Sequence, residues 1–159
     1  MVKNLSVNSK KKYGIKKIVI HEIVNNLKKD LDFDISSFFI NFISSEEIIE
    51  INKNYLKHYF STDIITFNYS GNNNILDGEI FISVEDAEIN AKRFNVNFND
   101  EIIRLVIHGF LHLLGYDDKD RNKKIAMKKR ENQLCYSYSK MFKNKYYRNY
   151  TNLQKKLPI

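Results

Sequence analysis

The segment LVIHGFLHLLG, residues 105–115, is the most informative part of the chain. Its apolar residues recur at helical spacing, and Gly115 stands where a left-handed residue would end the helix. His108 and His112 are four residues apart, so both imidazoles lie on one helix face, about 6 Å apart along the axis. Burying two unpaired polar rings costs about 1–3 kcal/mol each, a penalty that a shared metal ion removes. We therefore predict a metal site here; the alternative is a pair of buried, hydrogen-bonded histidines.

The residues after this helix offer further metal ligands. Gly115 is followed by YDDKD, which supplies the carboxylates of Asp117, Asp118 and Asp120. A catalytic zinc ion commonly has three protein ligands and an open fourth position, so one of these acids is expected to complete the site. The other two are expected to belong to a solvated turn.

Gly109 bears on the type of metal chemistry. It stands where the zincin motif H-E-x-x-H has its glutamate general base, so the local chemistry of a metalloprotease is missing. We also expect the absence of a side chain at Gly109 to leave space beside the metal.

Composition limits the class of protein. The chain has 159 residues, of which 43% are hydrophobic, enough for one domain with a proper core. Its single cysteine, Cys135, excludes an internal disulfide and a cluster of cysteine ligands. The N-terminus lacks the features of a signal peptide, and no run of about 18 apolar residues could span a membrane. We therefore expect a soluble, cytoplasmic protein without a membrane partner.

Charge is distributed unevenly along the chain. The net charge is +7, but from Arg121 to the end there are 12 Lys or Arg residues and one acid, Glu131, whereas residues 1–120 sum to −4. A basic segment with interleaved aromatic residues is typical of a protein that binds polyanions. The alternative is a codon bias toward A and T, indicated by abundant Lys, Asn and Ile, which places lysines on any solvated surface.

The order of elements predicts an α+β domain with a small mixed sheet packed against helices. We predict helices over 15–29, 45–55, 84–94, 100–114 and from 123 past 142. We predict strands over 35–43, 64–69 and 79–84, the last two forming a hairpin. Residues 1–14 are interpreted as a flexible lead-in, 15–142 as a single compact domain and 143–159 as a basic tail.

Four segments together resemble the YbeY family of bacterial endoribonucleases. HGFLHLLGYDD, residues 108–118, is similar to the family pattern H-G-x-L-H-L-x-G-Y-D-H. Upstream, INKNY (51–55), TDIITF (62–67) and GEIFIS (78–83) resemble the patterns N-x-x-Y, T-D-V-L-S-F and G-D-I, in the same order. The resemblance covers roughly residues 15–140.

This resemblance implies a zinc-containing α+β fold and a metal-dependent, single-strand-directed endoribonuclease of small-subunit rRNA maturation and ribosome quality control. It also implies ribosomal proteins or an assembly GTPase as possible partners. His108 and His112 match the first two metal ligands, and Asp118 stands where the family usually has a third histidine. A carboxylate there makes the metal a weaker Lewis acid and tolerates Mn²⁺ or Fe²⁺ better, although Zn²⁺ is the ion we expect.

A second departure from the family lies at Leu56, which replaces an arginine that follows the tyrosine of N-x-x-Y. We assign catalysis to the metal with its water, supported by Lys57, and we expect phosphate or base contacts from Lys57, Arg104 and Tyr116. Two other classes remain open. One is a metal-stabilised ribosome-assembly or RNA-binding factor that does not cut, and the other is a hydrolase of peptides or small molecules, which Gly109 disfavours.

Overall fold

Four strands form one mixed sheet in the order β1-β2-β4-β3. The computed structural model describes the backbone of residues 1–154 and the side chains of residues 1–145. Strands β1, β2 and β4 are parallel, and β3 runs antiparallel to β4 at the edge of the sheet. The strands are β1 Leu5–Ser9, β2 Asp34–Ile43, β3 Ile64–Asn68 and β4 Ile75–Ser83.

Five α-helices accompany the sheet, and a short π-helical turn, Asn52–Leu56, follows the second. They are α1 Lys17–Leu31, α2 Ser45–Ile51, α3 Val84–Arg93, α4 Phe98–Leu113 and α5 Arg121–Gln154. Helix α4 contacts β3 and β4 on one side and α5 on the other, so it lies between the sheet and the basic helix. Phe110 of α4 stacks on Phe38 of β2, with the ring centroids 5.0 Å apart. The predicted α+β class, with one small mixed sheet in one domain, is confirmed.

The ends of α4 are set by its sequence, and they position the histidines. Asn97 is the N-cap: its side-chain oxygen accepts a hydrogen bond of 2.8 Å from the backbone N–H of Asp100. The helix therefore begins at Phe98, two residues before the predicted start at residue 100. Past its C-terminal end, Gly115 has φ +103°, a conformation that favours glycine. The chain reverses there as predicted.

The N-terminal segment differs from the prediction of a flexible lead-in over residues 1–14. Residues 5–9 form β1, which pairs in parallel with β2, so that Leu5 lies beside Phe38 and Val7 beside Ile40. Leu5 and Val7 point into the core, while the alternate side chains are polar. Only two apolar residues, Leu5 and Val7, show the alternation of apolar and polar side chains that predicts a strand. The lysines and asparagines around them make this pattern hard to recognise in the sequence.

The boundary predicted at residue 143 is also absent. Helix α5 continues without interruption from Arg121 to Gln154, so residues 143–154 belong to the last helix instead of forming a separate tail. The remaining part of the predicted tail, residues 155–159, lies outside the described residues. The predicted hairpin is confirmed as the antiparallel pair β3 and β4.

Candidate metal centre

The two histidines of α4 face each other. The Nε2 atoms of His108 and His112 are 3.1 Å apart, and their ring planes are inclined by 77°. Two imidazole nitrogens that bind one zinc ion at about 2.0–2.1 Å in tetrahedral geometry lie about 3.3 Å apart. The spacing in α4 therefore fits two ligands of one ion.

Glu131 of α5 fixes the orientation of the first ring. Its Oε1 lies 2.7 Å from Nδ1 of His108, and its side chain is only 2% exposed. Because the carboxylate can only accept, His108 donates through Nδ1 and keeps the lone pair of Nε2 free. A carboxylate behind a metal-binding imidazole is a common arrangement that orients the ring and increases its basicity. The contact supports the fit of the pair to a metal ion.

Electrostatics keep the groups in the required protonation states. Burial by itself raises the pKa of Glu131, but hydrogen bonds and positive charge from His108 and Lys128 lower it to about 2. Burial lowers the pKa of His112, and a proton on the neighbouring His108 would lower it further, against the opposite effects of Asp118, the Tyr116 backbone and Asp117. At neutral pH Glu131 is therefore ionised and His112 is neutral, as a metal ligand must be.

Arg104, one turn before His108, pairs with carboxylates of three elements. Its Nε and Nη2 atoms donate to both oxygens of Glu101 at 2.9 and 2.6 Å, and Nη1 lies 3.5 Å from Oε1 of Glu131. Oδ2 of Asp63 lies 3.7 Å from Nη2 and also accepts a hydrogen bond from Asn90. The guanidinium predicted to contact RNA phosphate is instead directed into this network, where it holds Glu131 in place.

The three acids after Gly115 have different surroundings. Asp117 accepts a hydrogen bond from the backbone of Lys119 and lies 3.6 Å from the ammonium of Lys123. Asp120 accepts from the backbone N–H of Lys123 at the start of α5. Asp118 is exposed and makes no hydrogen bond or ion pair with any described residue. It is the acid of the turn whose carboxylate is not already used.

The structure brings two predicted ligands together but not the third. Among the residues whose side chains are described, no three His, Cys, Asp or Glu side chains converge closely enough to hold a metal ion. Asp118 is nevertheless near enough for its charge to raise the pKa of His112, with a larger effect than Asp117. The site as described is thus a pair of imidazoles with the carboxylate of Asp118 nearby.

Gly109 has a different role from the one predicted. A Cβ atom at this position would lie 2.8 Å from Cδ1 of Ile80 and 3.0 Å from Cδ1 of Ile64. The space beside the backbone is therefore filled by side chains of β4 and β3, so the glycine does not leave room at the metal. It allows α4 to approach the sheet closely.

The N-x-x-Y segment fixes the loop in front of β3. Asn52 is 1% exposed, and its amide donates to the backbone oxygen of Phe60 and to Oγ1 of Thr62 at 3.1 and 3.0 Å. These bonds hold the chain just before Asp63, which belongs to the Arg104 network. The motif thus positions the loop between α2 and β3.

The other residues expected to contact RNA have separate locations. Lys57 ends the π-helical turn at φ +55°, is exposed, and has no side-chain partner within the part of the chain whose side chains are described. Leu56, which follows Tyr55 of the N-x-x-Y segment, is 43% exposed. Tyr116 is half-buried and packs against the core, so only part of its ring could meet a base.

Comparison with known proteins identifies the family of this chain. Residues 3–139 match the family described as Endoribonuclease YbeY. The chain belongs to the YbeY family. The matched range includes helix α4 with its paired histidines and the turn that contains Asp118. No described helix combines the length and apolar character that crossing a bilayer requires.

Several proteins named Endoribonuclease YbeY are similar in sequence. That of Parabacteroides distasonis is 44% identical over 92 residues, which cover 58% of this chain and 64%, slightly under two thirds, of the relative. That of Chlorobium limicola is 40% identical over 107 residues, 67% of this chain and 74% of the relative. That of Bacteroides thetaiotaomicron is 37% identical over 119 residues, 75% and 86% of the two chains.

A solved structure shares the YbeY fold described here. The solution structure of TM1509 from Thermotoga maritima has a TM-score of 0.66 and 22% sequence identity, and it covers 89% of this chain and 93% of its own. At this identity the likeness concerns the fold alone.

Sequence reasoning missed the acidic partners of His108 and Arg104. Glu131, Glu101 and Asp63 were not singled out for the site, although they connect α5, α4 and the loop before β3. One signal was present: Glu131 is the only acid after Asp120, in a segment with 12 basic residues. A lone acid among so many basic residues is a candidate for a buried, paired carboxylate.

Proposed function

We propose that this chain is a metal-dependent endoribonuclease that cuts single-stranded RNA and acts in small-subunit rRNA maturation and ribosome quality control. The observation that carries the proposal is the 3.1 Å approach of the two Nε2 atoms of His108 and His112 in a chain of the YbeY family. The relatives that share this family are named endoribonucleases.

His108, His112 and Asp118 are the residues that would hold the metal. Two imidazoles and one carboxylate are an established catalytic zinc set. Asp118 is preferred over Asp117 and Asp120 because those two are engaged at the start of α5. Zn²⁺ is the ion we favour, and the carboxylate also suits Mn²⁺ or Fe²⁺.

A divalent cation at this site would polarise a phosphoryl oxygen and lower the pKa of water for attack on the phosphodiester. The protein's own contribution is orientation. Glu131 holds the proton on Nδ1 of His108, and the ion pair with Arg104 keeps Glu131 directed at that ring. Lys57, exposed and without a side-chain partner in the described region, can approach a phosphate without breaking an internal contact.

The partners follow from the proposed substrate. We expect single-stranded RNA, and within the cell rRNA of the small ribosomal subunit, together with ribosomal proteins or an assembly GTPase. We expect the protein to act in the cytoplasm, where these partners are found.

A second candidate function is a metal-stabilised ribosome-assembly factor that binds RNA without cutting it. Leu56 favours this alternative, because an apolar side chain stands where the family has an arginine suited to phosphate. Neutral leucine can neither bind a phosphate oxygen nor offset its charge.

Cleavage of single-stranded rRNA by protein of measured metal content separates these functions. The wild type is compared with His112→Ala, and His58→Ala controls for the loss of an exposed imidazole outside α4. Cutting by wild type and His58→Ala but not by His112→Ala supports the nuclease. Tight binding without cutting, even with added Zn²⁺ or Mn²⁺, supports the assembly factor. Absence of stoichiometric metal from the wild type contradicts both.

The ends of the products then identify the nucleophile. Products with 5′-phosphates indicate attack by water, whereas cyclic phosphates indicate attack by the 2′-hydroxyl of the RNA. The two mechanisms make different demands on the protein, because water must be oriented by the site and the 2′-hydroxyl is already part of the substrate.

A further inference from the structure

A second concave surface lies beside the histidines. A cavity of about 870 Å³ opens between α5, the C-terminal end of α3 and the first turns of α4. Its volume falls in the range of roughly 300–1,000 Å³ that is usual for ligand sites. Neither His108 nor His112 lines it, so it is distinct from the metal centre. We call it the α3–α5 groove.

The α3–α5 groove carries exposed aromatic rings. Phe94, at the end of α3, is 56% exposed, and Tyr136 of α5 is 68% exposed. The ammonium group of Lys140 lies 4.3 Å from the centroid of the Tyr136 ring. Exposed rings beside cations are the elements with which proteins bind the bases and backbone of single-stranded nucleic acid.

Charge on the groove suits a polyanion. Five basic and three acidic side chains line it. Two of the acids, Asp63 and Glu101, pair with Arg104, and the third, Asp100, accepts a hydrogen bond from Asn97. Arg93 makes no hydrogen bond or ion pair with any residue whose side chain is described. The acids are thus engaged internally, whereas Arg93 is available to a ligand.

The groove adjoins the candidate metal centre. Arg104 and Lys128 line its floor, and both contact Glu131, at 3.5 and 2.9 Å. The same carboxylate binds His108, which follows Arg104 by one turn on α4. A strand that leaves the metal along this face of α4 therefore passes directly into the groove.

We propose that the α3–α5 groove binds the single-stranded RNA segment that flanks the scissile phosphate, with bases stacked on Phe94 and Tyr136 and a phosphate at Arg93. This inference rests on the proposed function, because the RNA that would occupy the groove is the substrate of the proposed endoribonuclease. A duplex would not be held in this way, since its base faces are already stacked.

The test compares two lengths of RNA. Single-stranded oligonucleotides of about 5 and about 15 nucleotides represent a segment confined to the metal centre and one that also reaches the groove. Dissociation constants are measured by fluorescence anisotropy in EDTA, which prevents cleavage, and KM and kcat are measured with metal. The variant Phe94→Ala/Tyr136→Ala is compared with Ile89→Ala/Ile125→Ala, whose residues are each 56% exposed and do not line the groove.

We expect the aromatic double variant to bind the long oligonucleotide at least about tenfold more weakly and to raise its KM, with kcat unchanged. Binding of the short oligonucleotide and the behaviour of the isoleucine control should match the wild type. Equal binding of the long oligonucleotide by variant and wild type, or equal weakening for both lengths, would overturn the proposal.

Salt dependence provides an independent measurement. Arg93→Gln should reduce the slope of log affinity against log salt by about 0.7 for the long oligonucleotide, while the adjacent Lys92→Gln should not. An unchanged slope in Arg93→Gln contradicts the phosphate contact. If the wild type fails to cut RNA but the aromatic variant still binds the long RNA more weakly than wild type, the proposed nuclease activity is contradicted and RNA binding in the groove is supported. If the wild type cuts RNA and the aromatic variant binds the long RNA as well as wild type, only the proposed RNA binding in the groove is contradicted.

Discussion

Oε1 of Glu131 accepts a hydrogen bond of 2.7 Å from Nδ1 of His108, and this contact joins α5 to α4 at the candidate metal centre. The ring has only one orientation in which Nδ1 meets Glu131 and Nε2 meets His112. The carboxylate on α5 therefore determines where the lone pair on α4 points. The basic helix is part of the site even though none of its residues is proposed as a metal ligand.

Glu131→Gln should weaken metal binding by about 10- to 100-fold. An amide oxygen can still accept from Nδ1, but it carries no charge, so the imidazole becomes a poorer ligand and its tautomer is less firmly fixed. The dissociation constant for Zn²⁺ is measured by competition with a chromogenic chelator.

Glu88→Gln is the matched control for this change, because Glu88 is an exposed acid of α3 that has no partner in the described region. Its affinity for Zn²⁺ should equal that of the wild type. An unchanged affinity in Glu131→Gln would mean that other contacts orient His108.

Low pH should remove the contribution of ionised Glu131 to the free energy of unfolding. Because the pKa of Glu131 is lowered from 4.5 to about 2 in the folded protein, its contribution is fully present above about pH 4.5 and is lost as the pH falls toward 2. A shift of this size corresponds to roughly 3 kcal/mol. Urea unfolding of metal-free wild type and Glu131→Gln at pH 7 and pH 3 should show the difference in unfolding free energy shrinking at pH 3. A difference independent of pH would contradict an ionised, stabilised Glu131.

Arg104→Gln should destabilise the fold by about 3–5 kcal/mol, because it leaves the buried carboxylates of Glu101 and Glu131 without their shared cation. Arg93→Gln, which removes an arginine without described partners, should change the unfolding free energy little. Urea denaturation followed by circular dichroism measures both. If Arg104→Gln were as stable as wild type but bound RNA more weakly, the phosphate contact predicted from sequence would be its main role.

The histidine helix could be predicted because its information is local. The spacing of His108 and His112, the apolar periodicity around them and Gly115 at the end all lie within residues 105–115. The β3–β4 hairpin was predictable for the same reason, since two alternating segments flank a loop with Gly71.

Contacts between residues far apart in the chain could not be predicted from local sequence patterns. Glu131 reaches His108 across 23 residues, and its role depends on how α5 packs on α4. Strand β1 depends on pairing with a strand about 33 residues later in the chain, which supplies the burial that Leu5 and Val7 cannot obtain locally. The preference for Asp118 over Asp117 and Asp120 as a ligand rests instead on local contacts of the turn, which the spacing of the three acids does not reveal.

Asp118→Ala should lower the bound metal well below one ion per chain, whereas Asp118→His should retain it. The alanine removes the only carboxylate of the turn that has no described partner, and histidine restores the ligand that the YbeY pattern has at this position. Metal per chain is measured by elemental analysis after gel filtration. Asp120→Ala is the control: it should retain the metal and lose stability instead, by about 1 kcal/mol, because Oδ1 of Asp120 accepts from the backbone N–H of Lys123 at the start of α5. Full metal occupancy in Asp118→Ala would transfer the role to Asp117, Asp120 or water.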